Sequence, residues 1–204
     1  MSLSLDVPVL VGKFVTLEPL DRSHVPQLAA SADEDRATYD LTPVPSGVDG
    51  TTWYVDELLA GCRAGHLVPF AQVDSRARRA VGVTRFMTFR YRDSDHALFA
   101  VEIGGTWLAA SAQRSAINTE AKLLLMSHAF DVWGVARLDL KTDARNERSR
   151  AAMARLGATF EGVLRQWQPS VATGEESLYR DTAMFSVVAT EWPTVRERLA
   201  SRLG

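Results

Sequence analysis

The chain holds a single cysteine, Cys62, in 204 residues. One thiol excludes an internal disulfide and any cysteine-built metal centre, and fits a reducing cytoplasm. Cys62 has no nearby base in sequence and reads as core packing. Histidine is scarce as well, at four residues. His24, His66 and His96 fall in surface or loop positions without metal-ligand spacing, and His128 reads as a core histidine satisfied by its neighbours. No metal is therefore expected. Charge of one sign is also missing: 23 Lys and Arg stand against 25 Asp and Glu, a net charge of −2, so no global basic field argues for nucleic acid. No apolar run approaches a membrane span, and Met1-Ser-Leu-Ser-Leu-Asp lacks the basic region and apolar core of a leader. Repeats and low-complexity segments are absent.

What is present is apolar mass. Hydrophobic residues make up 46% of the chain, enough for one sizeable core and against disorder. The length suits one domain, read here as 13–188, with an N-terminal extension over 1–12 and a C-terminal helix over 189–204.

Lys13 to Leu20 alternates like a strand, and Asp21 to Ala32 follows as a helix with Asp21 or Ser23 as N-cap. Leu41 to Gly50 (LTPVPSGVDG) is rich in breakers and reads as a loop. Thr51 to Arg63 reads as a helix with Trp53, Leu58, Leu59 and Cys62 near one face. Leu67–Val73 and Ala80–Phe89 are strands. A long amphipathic helix begins near Asn118, with Ile117, Ala121, Leu124, Leu125, His128, Ala129 and Val132 on one face and Gly134 as its stop. Ala136 to Thr142 alternates as a strand with one polar face. Asn146 caps a helix over Glu147–Leu156, closed by Gly157. Ala158–Gln168 and Glu176–Val187 are the last strands, and Glu191–Leu203 is a terminal helix. The order β-α-α-β-β-β-α-β-α-β-β-α contains one strand–helix–strand crossover. An α/β (α+β) fold with a mixed, mostly antiparallel sheet is expected.

The stretch around which these elements are arranged is Glu102 to Glu120. The apolar strand Ala97–Gly104 ends in two glycines, and a segment with few charges, Thr106 to Ala112, leads into Gln113-Arg114-Ser115-Ala116-Ile117-Asn118. A small-residue turn entering a helix presents unpaired N–H groups and the positive end of the macrodipole, which suits a phosphate. Arg114 adds a full charge. An ordinary capped helix would look much the same. On the strand, Leu98, Ala100, Glu102 and Gly104 face one way and Phe99, Val101 and Ile103 the other. A lone carboxylate there is costly to bury unless used or paired, so Glu102 is either a general base or half of a structural pair with an arginine. Asn146 and Ser149 share one helix face, where plain capping explains both. Trp107 and Trp167 either line an acceptor pocket or pack.

Taken together, the element order, the Gln113–Asn118 turn, Glu102-Ile-Gly, Arg180-Asp181-Thr182 and the run from Lys141 through Asn146-Glu-Arg-Ser149 to Leu156-Gly-Ala-Thr-Phe-Glu161-Gly resemble the GNAT superfamily of N-acetyltransferases. The likeness is greatest to the RimJ/RimL type, which acetylates protein N-terminal amines, and it covers about residues 13 to 188. It implies a GNAT fold with a splayed parallel strand pair. It implies acetyl-CoA, or another acyl-CoA, as cosubstrate, with its pyrophosphate on the backbone of Gln113, Arg114, Ser115, Ala116, Ile117 and Asn118. Gln113 matches the first position of the turn; Ala116 and Asn118 stand where the family has glycine and a second small residue. Trp107 and Leu108 match the segment that pairs with pantetheine, and Asn146 the asparagine beside it. Ser149 matches a serine that protonates the leaving thiolate. Gln168 stands where RimL-type enzymes place a glutamate base, so the base is Glu102, a water that it orients, or another residue, with Glu102 the candidate named here. The expected partners are a CoA thioester and a primary amine, most simply a protein N-terminus, with no nucleic acid or membrane; a homodimer is compatible. Rival readings are a small-molecule acceptor and a non-catalytic CoA-binding module.

Overall fold

The computed structural model describes residues 5–172, 174–175 and 177–204. Its eight strands form one sheet in the order β1-β2-β3-β4-β5-β6-β8-β7. They are β1 (Leu10–Val11), β2 (Val15–Pro19), β3 (Leu67–Asp74), β4 (Arg79–Tyr91), β5 (Leu98–Leu108), β6 (Arg137–Asp143), β7 (Thr159–Pro169) and β8 (Tyr179–Val188). The helices are α1 (Val25–Ala32), α2 (Gly47–Arg63), α3 (Ile117–Ser127), α4 (Glu147–Leu156) and α5 (Trp192–Ser201). Every neighbouring pair is antiparallel except β5 and β6, joined by the crossover through α3. The expected start of the last strand at Glu176 lies outside the described residues, as do residues 1–4 of the extension.

Two cores follow from the sheet's two faces. Val101, Ile103 and Leu138 pack with Leu125 and Met126 of α3 and Leu199 of α5. Val83, Ala71 and Trp107 pack on the other face against Leu28 of α1 and Val55 and Leu58 of α2. Glu120, buried on α3, fastens the N-terminal segment. Its carboxylate accepts the N–H groups of Lys13 (2.8 Å), Phe14 (2.6 Å) and Val15 (2.8 Å).

Several expectations need correction. Helix α2 begins at Gly47, inside the breaker-rich stretch, because Asp33 accepts the Gly47 N–H (2.8 Å) and the Ser46 hydroxyl (3.0 Å) and fixes the helix entry. Its buried stripe is Thr51, Val55 and Leu58, which leaves Trp53 at 68% exposure. The helix after Ile117 changes to a π-helix over His128–Val132, whose wider turn rotates the face and leaves Val132 exposed. Strand β6 is central in the sheet, and Asp139, Thr142 and Asp143 of its polar positions are buried, the two aspartates beneath their ion-pair partners Arg90, Arg137 and Arg145. His24 is buried within a capping box with Asp21. His128 is buried against Trp133, as expected of a core residue, but its Nε2 has no partner, and burial lowers its pKa. Cys62 is only half-buried.

Candidate active site

Strand β5 does not end at Gly104; it continues to Leu108 through a bulge. Arg85 pairs with Gly104 and Val83 with Trp107, so Gly105 and Thr106 together oppose Thr84 alone. Gly105 supplies the left-handed dihedral, φ +56°. The extra residue reverses the side-chain alternation. Glu102 and Trp107, which strict alternation would send to opposite faces, share the face on which α1 and α2 pack. A second irregularity faces the first. Thr88 and Phe89 of β4 oppose Val101 alone, and Thr88 holds φ +53°, an outlier for a β-branched residue. The Thr88 hydroxyl thereby donates to Glu102 Oε2 at 3.1 Å.

Glu102 is buried, and Lys141 Nζ stands 3.0 Å from its Oε2. The sequence pointed to an arginine as the structural alternative; the partner is a lysine one strand away. Pairing offsets the cost of placing a carboxylate there.

The parallel ladder between β5 and β6 is short. It pairs Ala100 with Arg137, Val101 with Leu138 and Glu102 with Asp139, and stops. Beyond it β5 runs on to Leu108, paired only with β4, and β6 to Asp143, paired only with β8. Glu102 therefore stands at the apex of a V-shaped opening between two strands.

At the far end of the opening lies the turn before α3. Arg114 takes φ +58°, and Ala116 is ordinary right-handed helix at φ −70°. The conformation that favours glycine thus falls on residue 114, and alanine at 116 carries no strain. The N–H groups of Ala116, Asn118 and Thr119 meet no acceptor among the described residues. Asn118 Oδ1 is buried without a partner. Exposed Arg114 makes no ion pair among the described residues. These donors and this charge fit a pyrophosphate. Other residues of the turn serve it internally. The Ile117 N–H is taken by Ser115 Oγ (3.3 Å), which itself donates to Ala112 O (2.6 Å), and the Ile117 side chain is buried in the core. The Gln113 N–H bonds Ala109 O, and its side-chain amide donates to Thr38 Oγ1 and to Leu108 O, both at 3.1 Å. The Gln113 amide, the Ser115 hydroxyl and the Ile117 side chain hold the turn's shape, while the N–H groups of Arg114 and Ser115 also meet no acceptor among the described residues.

Trp107 and Leu108 divide their roles. Ala109 N–H donates to Val81 O, so alternation turns the Trp107 main chain toward β4, where its carbonyl accepts from Gln72 Nε2 (3.3 Å). Leu108 presents its main chain to the opening. Its carbonyl already accepts from the Tyr39 hydroxyl (3.0 Å), which leaves its N–H as the cleft-facing donor. The Trp107 ring is buried edge-on to Tyr39, whereas Trp167 is 54% exposed on edge strand β7.

The other wall is the start of α4. Asn146 Oδ1 accepts the Ser149 N–H at 3.0 Å, a side-chain cap. The Ser149 hydroxyl makes no hydrogen bond among the described residues, so capping does not consume it. Arg148 Nη2 donates to Thr38 O at 2.6 Å. Thr38 thus ties α4 to Gln113 across the opening, and a cavity of about 230 Å³ lies there, lined by Asp40, Leu41 and residues 145–148.

The charged groups around Glu102 escaped the sequence reading. Asp139 pairs with Arg90 and, at 2.6 Å, with Arg137; Asp143 pairs with Arg145 at 2.8 Å. Arg145 also holds Glu175, whose carboxyl it pulls down to about 2. With its amide oxygen turned to Arg180, Gln168 accepts from Nη2 at 2.9 Å, and burial lowers the Arg180 pKa. Alternation along β6 and β8 places the lysine and Arg180 on this face, a signal that pattern reading could have used.

Among the described residues no cluster of three or more His, Cys, Asp or Glu could hold a metal ion, and no helix is long and apolar enough to cross a membrane. A model of the acetyltransferase (GNAT) domain matches residues 15–159. The fold superposes on a GCN5-related N-acetyltransferase from Brucella melitensis with TM-score 0.81, 28% identity, and coverage of 97% of this chain and 86% of that one. An acetyltransferase candidate from T. thermophilus gives TM-score 0.82 and 30% identity, covering 99% of this chain and 100% of that one. Mycobacterium smegmatis RimJ in complex with CoA-disulfide shares the fold at 22% identity and TM-score 0.76, over 95% and 91% of the two chains. No curated protein matches the sequence. The matched domain spans most of the chain and includes the strand pair and the turn, and the chain belongs to the GNAT family of acetyl-CoA-dependent acetyltransferases.

Proposed function

We propose that this enzyme acetylates a primary amine, most simply the N-terminal amine of a protein or peptide, by direct attack with Glu102 as the base. The observation that carries this reading is the position of Glu102. It is a buried carboxylate at the apex of the β5–β6 opening, gripped by the strained Thr88 and by Lys141. Acetyl-CoA, when bound, supplies the activated acyl group. The N–H groups of Ala116, Asn118 and Thr119, with Arg114, hold its pyrophosphate. The Leu108 N–H faces the opening and can polarise a carbonyl there.

An amine reaches the protein as an ammonium and must lose a proton before attack. Glu102 takes that proton, directly or through a water, while Lys141 keeps the emptied carboxylate from standing alone. Ser149 has an uncommitted hydroxyl on the opposite wall and can give a proton to a departing thiolate. No activated Cys or Ser–His pair exists to form a covalent enzyme intermediate among the described residues, which favours direct transfer. The deciding experiment incubates the enzyme with acetyl-CoA and a panel of N-terminal peptides, polyamines and aminoglycosides, and follows thiol release. Turnover confined to the small amines would replace the peptide acceptor.

A further inference from the structure

We propose that the acceptor carries a carboxylate next to its amine, with the ammonium held at Glu102 and the carboxylate at Arg85. The inference rests on the acetyl-transfer reading and names the acceptor class. It starts from two consecutive glycines. A Cβ on Gly104 would lie 2.9 Å from Glu102 Oε1, and a Cβ on Gly105 would lie 2.5 Å from Arg85 Cζ. Each missing side chain therefore makes room for one charged head group, and the two heads lie side by side over adjacent residues. They are not paired with each other. Glu102 is engaged by Lys141 and Thr88. Arg85 forms no ion pair among the described residues, and its Nε is buried without an acceptor.

A buried guanidinium N–H without a partner is costly, and such a group favours any ligand that satisfies it. Charge balance on this face points the same way. Asp139, Asp143 and Glu102 each have a cation, while Arg85 and Arg180 form no ion pair among the described residues. Arg85 is half-buried, beside exposed Gly105, and interacts with Tyr54, whose phenol burial pushes up. The planar fork of a guanidinium matches a carboxylate in two parallel bonds, and an incoming ammonium would be repelled there. An α-amino acid and a peptide with an acidic first residue share the needed chemistry; a polyamine does not. In the transfer the new N–C bond forms as the C–S bond breaks. The ammonium gives up two protons, one released through Glu102 and one ending on the thiol of CoA.

The test uses matched acceptor pairs on the full chain: alanine against alaninamide, and a peptide beginning with Asp against the same peptide beginning with Asn. The acid member of one pair should show a kcat/KM on the order of ten- to a hundredfold above its amide, expressed in KM. That pair identifies which carboxylate is read. Arg85→Gln should erase the preference by lowering the acid to the level of the amide, and Arg85→Lys should restore only part of it. Calorimetric titration of the CoA-loaded protein with the same pairs reads the site without turnover. Equal affinities for acid and amide in both pairs, or a preference that survives Arg85→Gln, would overturn the proposal. Equal acetylation of acids and amides would leave the amine-acetylation reading standing, whereas failure of every amine to accept would remove that reading while the titration still decided this one.

Discussion

Glu102 and Asp139 are the last residues paired across the parallel ladder of β5 and β6, and both carry carboxylates onto one face. Their surroundings separate them. Asp139 is held between Arg90 and Arg137, whereas Glu102 meets one lysine and one hydroxyl at the point where the strands part. Two carboxylates at one level of a sheet thus differ in surroundings: one joins strands, and the other is the proposed base.

Glu102→Gln should therefore lower kcat/KM for the amine by roughly 10²-fold or more, the usual share of general-base catalysis. It also strands Lys141, a partly buried ammonium, which costs stability. The double variant Glu102→Gln with Lys141→Met removes that complication. It should recover the melting temperature without recovering turnover. Activity returning together with stability would make Glu102 a structural carboxylate.

Arg114→Glu should weaken acetyl-CoA binding by about 1–3 kcal/mol, the range for a charge-assisted hydrogen bond, with added repulsion. Arg114→Gly divides the residue's two properties. Relief of the φ +58° backbone should hold or raise the melting temperature while affinity still falls. Unchanged affinity by calorimetry in both variants would take this turn out of the cofactor site.

The turn and the second wall were legible in the sequence because their signals are local. Asn146 caps α4 through its own side chain, and Gly157 closes the helix at φ +95°. Pairs such as Glu102 with Lys141 were not legible, because they depend on which strands lie side by side. Strand alternation failed at Gly105 and Thr88, where bulges shift it by one residue. Helical periodicity failed at Val132, because the π-helix that starts at His128 adds a residue to the turn. Two of these three breaks border the proposed catalytic carboxylate. Local rules give way there because Glu102, Thr88 and Arg85 must converge on one face.

Ser149→Ala probes a hydroxyl that capping leaves free. The cap runs from the Ser149 N–H to Asn146 Oδ1 and survives the change. Stability should hardly move, and kcat should fall more than KM for acetyl-CoA rises, because the lost proton donor matters only as the thiolate leaves. Asn146→Ala should instead cost about 1 kcal/mol in urea unfolding. Normal turnover for Ser149→Ala would leave the hydroxyl without a part in the transfer, and the residue's contribution would be its backbone N–H in the cap.

Lys122 makes a prediction about pH and stability. It is buried on α3, bonded to Thr106 Oγ1 at 2.6 Å and Thr84 Oγ1 at 3.0 Å, and burial pushes its pKa down to about 7 from 10.5. Below that folded value the amine is protonated in both states, and the folded protein bears the full cost of a buried charge. Between the two values the unfolded chain holds a proton that the folded one has lost, so stability rises with pH across this window. The limiting slope for one proton is about 1.4 kcal/mol per pH unit. Lys122→Met removes the titration, and the two threonine hydroxyls still have each other at 2.8 Å. The variant should be more stable than wild type near neutral pH, and the advantage should shrink as pH rises. Urea unfolding of both proteins at about pH 6, 8 and 10 tests this: two curves that stay parallel would mean that Lys122 keeps its proton after folding.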